Sequence, residues 1–302
     1  MDKTADNIVC AIVVTYNPDI AVLSKLLGQI DREADFYVVD NGSQKILQYC
    51  ELIKTYKRCR SLIRLPENVG LARALNIGLD KVIAKGYQFA LLFDQDSSLG
   101  DLYVNRMLSA YGEASGLMRK KIAALGPRII NPQTRRQMKF KLFSRIFHRS
   151  DVPFGNSKHY FQADFLITSG SLLALEMLQE TGNMKDSYFI DNVDLEWCFR
   201  AKSKGLELVG TDNVTLYHAI GERSANPLVR SGIVTQHNPA RTYYSSRNRI
   251  HLYGVSYSPW GWKIRDAVRF AIKASWLLIF SRQRKQYWQN ISAGIRDART
   301  LG

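Results

Sequence analysis

Asp94-Gln95-Asp96 directly follows the apolar run Phe89–Phe93. If the extended chain continues, strand alternation points both carboxylates the same way. Two hard oxygen donors can then share one divalent cation whose remaining positions take a diphosphate and water. Such a cation neutralises a departing nucleotide diphosphate. In a surface loop an Asp-x-Asp pair is usually only solvated; behind a buried strand it reads as a metal site. His218 follows Leu216-Tyr217 late in the chain. A lone histidine is commonly structural, but neutral imidazole suits Mn²⁺ as well as carboxylates do, so His218 is the candidate third ligand.

Asp191, Asp194 and Glu196 crowd a helix start. Acids there serve as caps and complement the helix dipole. The functional alternative is a general base that deprotonates an acceptor hydroxyl. A single carboxylate beside a sugar's anomeric carbon, with no second nucleophile, gives one displacement with inversion. On a helix Asp194 and Glu196 diverge by about 200°, so both cannot face an acceptor. Asp194 is the first candidate for the base, Asp191 the second, and Glu196 a positioning residue. Asn68, Gly70 and Arg73 open another helix, where a glycine allows close backbone approach and an arginine can meet phosphate. The bland reading is a capped helix with a surface arginine. Asp40 either accepts from a nucleobase NH or fixes the Asn41-Gly42 turn.

Regular elements must hold these groups. Ile8–Val14 is a continuous, β-branched apolar run, read as a buried parallel strand that ends in Thr15-Tyr16-Asn17. Ile20–Ile30 has helical spacing. Asp35–Val39 reads as a strand ending in Asp40-Asn41-Gly42-Ser43, and Ser61–Leu65 as a third. A helix runs from Leu71 to about Lys85, stopped by Gly86. Phe89–Phe93 is the fourth strand. This alternation predicts a doubly wound, mainly parallel α/β sheet, and ligands bind such sheets beyond the carboxyl ends of the strands. Three polar clusters fall at three such ends. Arg135–Arg149 reads as a basic surface loop, Phe165–Leu175 as a buried strand and turn, and Leu206–Leu216 as a further strand.

The 302 residues fit one catalytic domain plus an appendage, at 46% hydrophobic and 23% charged. Cys10, Cys50, Cys59 and Cys198 form no CxxC pair, which suits a reducing compartment and argues against zinc. The opening MDKTADNIVCAIVVTYNP lacks the pattern of a signal peptide. No run of 18 uncharged apolar residues predicts a membrane-spanning helix. The net charge is +15, and from Arg241 onward twelve Lys/Arg face only Asp266 and Asp297, so a localised basic surface is expected.

In order, VVTYNP (13–18), VVDNGS (38–43), NVGLARALNIG (68–78), LLFDQDS (91–97), TSGSLLA (168–174) and FIDNVDLEWCFRAKSKG (189–205) resemble family 2 glycosyltransferases of the GT-A fold. With LYHAIGE at 216–222, the combination looks most like bacterial rhamnosyltransferases of O-antigen and polysaccharide assembly; galactofuranosyltransferases share a similar layout. The resemblance implies that Thr15, Tyr16, Asn17 and Asp40 line the base and ribose pocket, and that Asn68 and Arg73 hold the nucleotide. It implies Asp94, Asp96 and His218 as ligands of Mn²⁺ or Mg²⁺, and Asp194 as catalytic aspartate. Gly70, Gln95, Ser169, Gly170 and Trp197 lie in the matching motifs and are expected beside the substrate. Many relatives carry two adjacent acids where this chain has Val193-Asp194, which keeps Asp191 in contention. The implied donor is dTDP-β-L-rhamnose, giving an α-rhamnoside on a lipid-linked acceptor. A cytoplasmic enzyme, peripheral at the inner membrane face, would do this work.

The expected division is a catalytic domain over 1–240 and a basic, aromatic helical region over 241–302. Val268, Ile272, Trp276 and Ile279 recur there at helical spacing among Arg and Lys. Such a helix suits an anionic membrane surface, or packing on the domain or in a homodimer. Two other functions fit less well. A nucleotidyltransferase of the same sheet lacks its glycine- and lysine-rich phosphate loop here. A nucleic-acid-binding protein leaves the acidic clusters unexplained, because they repel phosphate.

Overall fold

The computed structural model describes residues 8–45, 47–118, 120–143, 148–218 and 239–301. Its first half alternates strands and helices: β1 (Val9–Thr15), α1 (Ile20–Ile30), β2 (Asp35–Asp40), α2 (Leu47–Lys54), β3 (Cys59–Arg64), α3 (Leu71–Ala84) and β4 (Phe89–Asp94). The two-residue β5 (Ser98–Leu99), α4 (Tyr103–Leu117) and β6 (Ile122–Ile130) follow. After the small hairpin β7 (Lys141–Leu142) and β8 (Arg149–Ser150) come β9 (Tyr160–Ala163), β10 (Leu172–Ala174), α5 (Leu175–Thr181), α6 (Val193–Ser203) and β11 (Glu207–Tyr217). Three helices close the chain: α7 (Pro239–Gly254), α8 (Trp260–Phe280) and α9 (Arg284–Asp297).

The main sheet runs β3-β2-β1-β4-β10-β6-β11-β5, with β9 also paired to β11. β3, β2, β1 and β4 are mutually parallel, as are β6 and β11, whereas β10 is antiparallel to both of its neighbours. Strand alternation feeds both faces. Ile12, Val14 and Leu92 enter the core beneath α3, α5 and α6, while Ala11, Val13 and Phe93 enter the core beneath α1 and α4. Local chemistry sets the boundaries. The Asp19 carboxylate caps α1 by accepting from the amides of Ala21 and Val22, and Gly86, at φ 77°, follows the end of α3.

Two details refine the sequence reading. Within the Arg135–Arg149 segment, Phe140 and Phe143 are buried, and the Arg128 guanidinium lies 4.3 Å from the Phe140 ring centroid. A polar-looking loop thus carries two aromatic anchors that a charge count hides; its residues 144–147 lie outside those described. The helical region also shares a core with the sheet, since Leu252, Trp262 and Leu301 join the cluster that holds α3 and α6. Among the described residues no helix is long and apolar enough to cross a membrane.

Candidate active site

From β1 the chain adds β2 and β3 outward on one side, then returns to lay β4 on the other side of β1. That reversal opens a crevice at the carboxyl ends of β1 and β4, where Val14 lies opposite Asp94 in register. A cleft of about 660 Å³ occupies it. Thr15, Tyr16, Asn41 and Asn68 form one wall, Asp94–Asp96 and His218 the floor, and the 189–194 segment with Arg241 the opposite wall. The Gln95 amide bridges the two strands, accepting from the Tyr16 backbone N–H at 2.7 Å and donating to the Tyr16 carbonyl at 3.2 Å. Asn41 donates to the Asn68 side chain at 3.0 Å and accepts from the Val69 amide at 2.9 Å, so the two loops bordering the crevice are tied together.

Asp94, Asp96 and His218 offer ligand atoms that all lie within 4.8 Å of one another. β4 ends at Asp94, so the two carboxylates converge through the following turn and not by strand alternation. His218 Nε2 is 3.8 Å from Asp94 Oδ2, and His218 Nδ1 is 3.5 Å from Asp96 Oδ1. Both separations are too long for hydrogen bonds. His218 Nδ1 is buried with no hydrogen-bond partner. Burial raises the Asp94 carboxyl above its ordinary range, with His218 opposing and Asp96 adding to the rise. Two carboxylates and an imidazole with an orphaned nitrogen are the donor set of a Mn²⁺ or Mg²⁺ site, and these residues fit such an ion. Behind them Ser169, fully buried, accepts from the Asp94 amide at 3.2 Å and shares a 2.6 Å hydrogen bond with Ser97.

Asp194 sits in the first turn of α6 and faces the cleft. Burial pushes its carboxyl up to about 7, against a hydrogen bond from the Leu195 amide and with the charges of Asp94 and Asp191 adding to the rise. Asp191 is in a different situation: Arg241 holds it through Nε at 3.1 Å to each oxygen and through Nη2 at 2.7 Å. Asp191 is thus engaged by a guanidinium, whereas Asp194 is poised to take a proton near neutrality.

The approach to Asp194 is strained. Phe189, Asp191 and Asn192 all have left-handed backbones, with φ of 60°, 65° and 58°. Such conformations cost about 1–3 kcal/mol each for non-glycine residues, so neighbours must hold them. α7 supplies the hold. The fully buried Asn248 points its amide nitrogen at the carbonyls of Tyr188, Ile190 and Asp191, at 2.8, 2.9 and 2.9 Å. The Tyr244 ring stacks on Phe189 at 4.5 Å between centroids. The Leu71 amide, opening α3, donates to the Phe189 carbonyl at 2.6 Å.

Several expected site residues stand elsewhere. Glu196 is buried on the far side of α6, where Arg200 grips both its oxygens at 2.8 and 2.9 Å and the Tyr257 hydroxyl donates at 2.7 Å. It joins α6 to the C-terminal region instead of positioning substrate. Trp197 is core, its indole N–H donating to the Gly182 carbonyl at 3.0 Å. Arg73 pairs with Asp186 at 3.1 Å outside the cleft lining. Gly70 is required by close approach to Phe189, whose Cα would lie 2.7 Å from an added Cβ. Asp40 is sealed beneath the floor by Thr15, Ser43 and Tyr49. Asn17 shapes a turn with Ser43 and Gln44. Gly170 packs behind β4 against Tyr103. Sequence reasoning missed Asn41, Arg241 and Asn248 as site residues. Asn41 sits in a turn cluster at a strand end, which was a usable signal; nothing local marks the other two. The 219–222 part of LYHAIGE lies outside the described residues.

Two outcomes follow from this geometry. Asn248→Ala should accelerate amide exchange across residues 188–195 by at least about 10-fold while leaving β1 and β4 protected, as read by hydrogen-exchange mass spectrometry. Unchanged exchange there would deny Asn248 its hold on the loop. The second concerns Asp194. Because its folded-state pKa is raised, ionisation destabilises the native protein, and stability is lost as pH rises from about 4 to about 7. Metal-free Asp194→Asn protein should therefore melt above wild type at pH 8, by roughly 2–4 °C for each kcal/mol relieved, with the gap closing below pH 4.

Comparison with known proteins agrees with this architecture. The sequence profile described as Glycosyl transferase family 2 matches residues 10–172. The dTDP-rhamnosyl transferase RfbF of Shigella flexneri is 30% identical over 280 residues, covering 91% of this chain and 89% of that protein. Among solved structures, GalNAc-T7 with UDP, GalNAc and Mn²⁺ aligns over 99% of this chain at TM-score 0.62 and 14% identity, and the chain spans only 57% of that longer protein. The mannosyltransferase PcManGT of Pyrobaculum calidifontis, in complex with GDP-Man and Mn²⁺, aligns over 97% of this chain and 75% of its own at TM-score 0.53 and 15% identity. At such identities these two structures speak for the fold, which is GT-A. The profile match and the similarity to RfbF along nearly the whole chain place the protein in glycosyl transferase family 2, as a glycosyltransferase.

Proposed function

We propose that the protein is a metal-dependent, inverting rhamnosyltransferase that uses dTDP-β-L-rhamnose and a lipid-linked glycan acceptor in bacterial surface-polysaccharide assembly, at the cytoplasmic face of the membrane. The observation that carries the mechanism is the pairing, in one cleft, of a single unclaimed carboxylate poised near neutrality, Asp194, with the Asp94–Asp96–His218 donor set. The sugar rests on the similarity to RfbF and on the sequence motifs.

In this reading Thr15, Tyr16, Asn41 and Asn68 bind the nucleoside side of the donor, and Gln95 keeps the Tyr16 backbone in place. Asp94, Asp96 and His218 would hold a divalent cation, which would supply charge stabilisation for the leaving diphosphate. Asp194 takes the proton of the acceptor hydroxyl as that oxygen bonds to the anomeric carbon. The bond from that carbon to the diphosphate oxygen breaks, and its electron pair leaves on dTDP. One displacement turns a β-linked donor into an α-linked product. Asp191 takes no part in proton transfer; with Arg241 it braces the wall from which Asp194 projects.

The test compares wild type with Asp194→Asn. Wild type should bind dTDP-rhamnose at least about 10-fold more tightly than UDP-galactofuranose or UDP-glucose, a gap of about 1.4 kcal/mol in calorimetric titration. The variant should bind the donor equally well, yet release dTDP about 10²–10⁴-fold more slowly when membrane lipid extract supplies the acceptor. Preference for a UDP-sugar would discard the rhamnosyl reading. Loss of donor binding in folded variant would discard Asp194 as base.

A further inference from the structure

α8 turns its apolar line toward solvent. Trp260, Ile264, Val268, Ile272 and Ile279 recur along one face over about 30 Å of helix, and their exposure runs from 45% at Ile264 to 75% at Trp260. Helices of a soluble domain normally bury such a line. Beside it lies a cluster of positive charge drawn from two separate elements. Arg265 and Arg269 come from α8 and Lys141 from β7; His148, just before β8, borders them, its imidazole pKa lowered by burial and then by Arg265, Lys141 and Arg269. Arg265 contacts His148 Nδ1 through Nη1 and lies 5.3 Å over the Phe143 ring. Lys141 is partly buried, and its ammonium pKa is lowered by burial and then by Arg269 and Arg265. Among the described residues, no carboxylate forms an ion pair with Lys141, Arg265 or Arg269; the acid nearest in sequence, Asp266, is taken by Arg249 and Tyr253. The fold thus gathers like charges without pairing any of them directly to a carboxylate among the described residues.

We infer that α8, with Lys141 of β7 beside it, forms a docking surface for an anionic lipid bilayer, with the Lys141–Arg265–Arg269 cluster meeting headgroup phosphates and the Trp260–Ile279 line entering the interface. Charge complementarity favours this occupant. A second copy of a chain with net charge +15 brings its own cationic cluster to the same place. Nucleic acid would answer the charge, but the line is mostly aliphatic and offers few rings for bases to stack on. A basic, apolar-edged helix lying in the membrane plane satisfies both features at once. The surface deepens the proposed function by bringing the enzyme to a lipid-linked acceptor, and it contains none of the residues assigned to the cleft.

The test is co-sedimentation of the full chain with vesicles of phosphatidylcholine alone and of phosphatidylcholine mixed with phosphatidylglycerol. Wild type should partition preferentially onto the anionic vesicles, and added salt should weaken that binding. The R265E/R269E double variant should lose about 10-fold or more of the anionic-vesicle affinity. V268S/I272S should lose affinity while keeping its melting temperature, since both side chains face solvent in the isolated protein. Both double variants should bind the nucleotide-sugar donor like wild type, which separates failure of this surface from failure of the catalytic reading. Unchanged partitioning of R265E/R269E would overturn the inference. So would a stable dimer that shields a label placed at V268C, or tighter binding to duplex DNA than to anionic vesicles.

Discussion

Four carboxylates, those of Asp94, Asp96, Asp191 and Asp194, share one cleft, which in the proposed reaction also admits an anionic diphosphate. Gathering like charges away from water is costly unless something answers them. The molecule answers each differently. Arg241 claims Asp191. Burial raises Asp94 and Asp194 toward their neutral forms. Asp94, Asp96 and His218 together present a donor set suited to a divalent ion. The remaining architecture serves this arrangement: the reversal of strand order at β1 and β4 opens the crevice, and Gln95 and Ser169 fix the turn that brings Asp94 and Asp96 together.

A second constraint is mechanical. The wall that carries Asp194 begins with three left-handed residues, a shape the 189–192 segment would not hold alone. Asn248 and Tyr244 hold it from α7, and the first amide of α3 holds it from the other side. The C-terminal helices therefore reach the chemistry at one end, through α7, while α8 presents an apolar and basic face outward at the other. One region can brace the cleft wall and present an outward apolar and basic face because its successive helices face different ways.

The centre of the sheet was readable from the sequence because β1, β2 and β4 are buried on both faces and appear as nearly unbroken apolar runs. The Asp-Gln-Asp triplet was readable with it, since acids placed directly after a buried strand must emerge at the carboxyl edge of the sheet. Asp194 ranked ahead of Asp191 in the sequence, but Asp191 stayed in contention, because what separates them is Arg241, 50 residues beyond Asp191. Glu196 looked like a site residue by proximity in sequence; only the helix phase and the reach of Arg200 and Tyr257 turn it inward. The spacing of Val268, Ile272 and Ile279 gave the amphipathic helix but not its direction, since periodicity is identical whether a face looks to core or solvent. Phe140 and Phe143 were masked by the basic residues around them.

The shared-cation cleft is tested most plainly by calorimetric binding of dTDP-rhamnose to wild type and to His218→Ala, each with and without Mn²⁺. Wild type should bind the donor at least about 10-fold more tightly with the ion present, and the variant should lose most of that gain. Equal donor affinity with and without Mn²⁺ in folded wild type would contradict the claim that this cleft of carboxylates accepts a diphosphate through a shared cation.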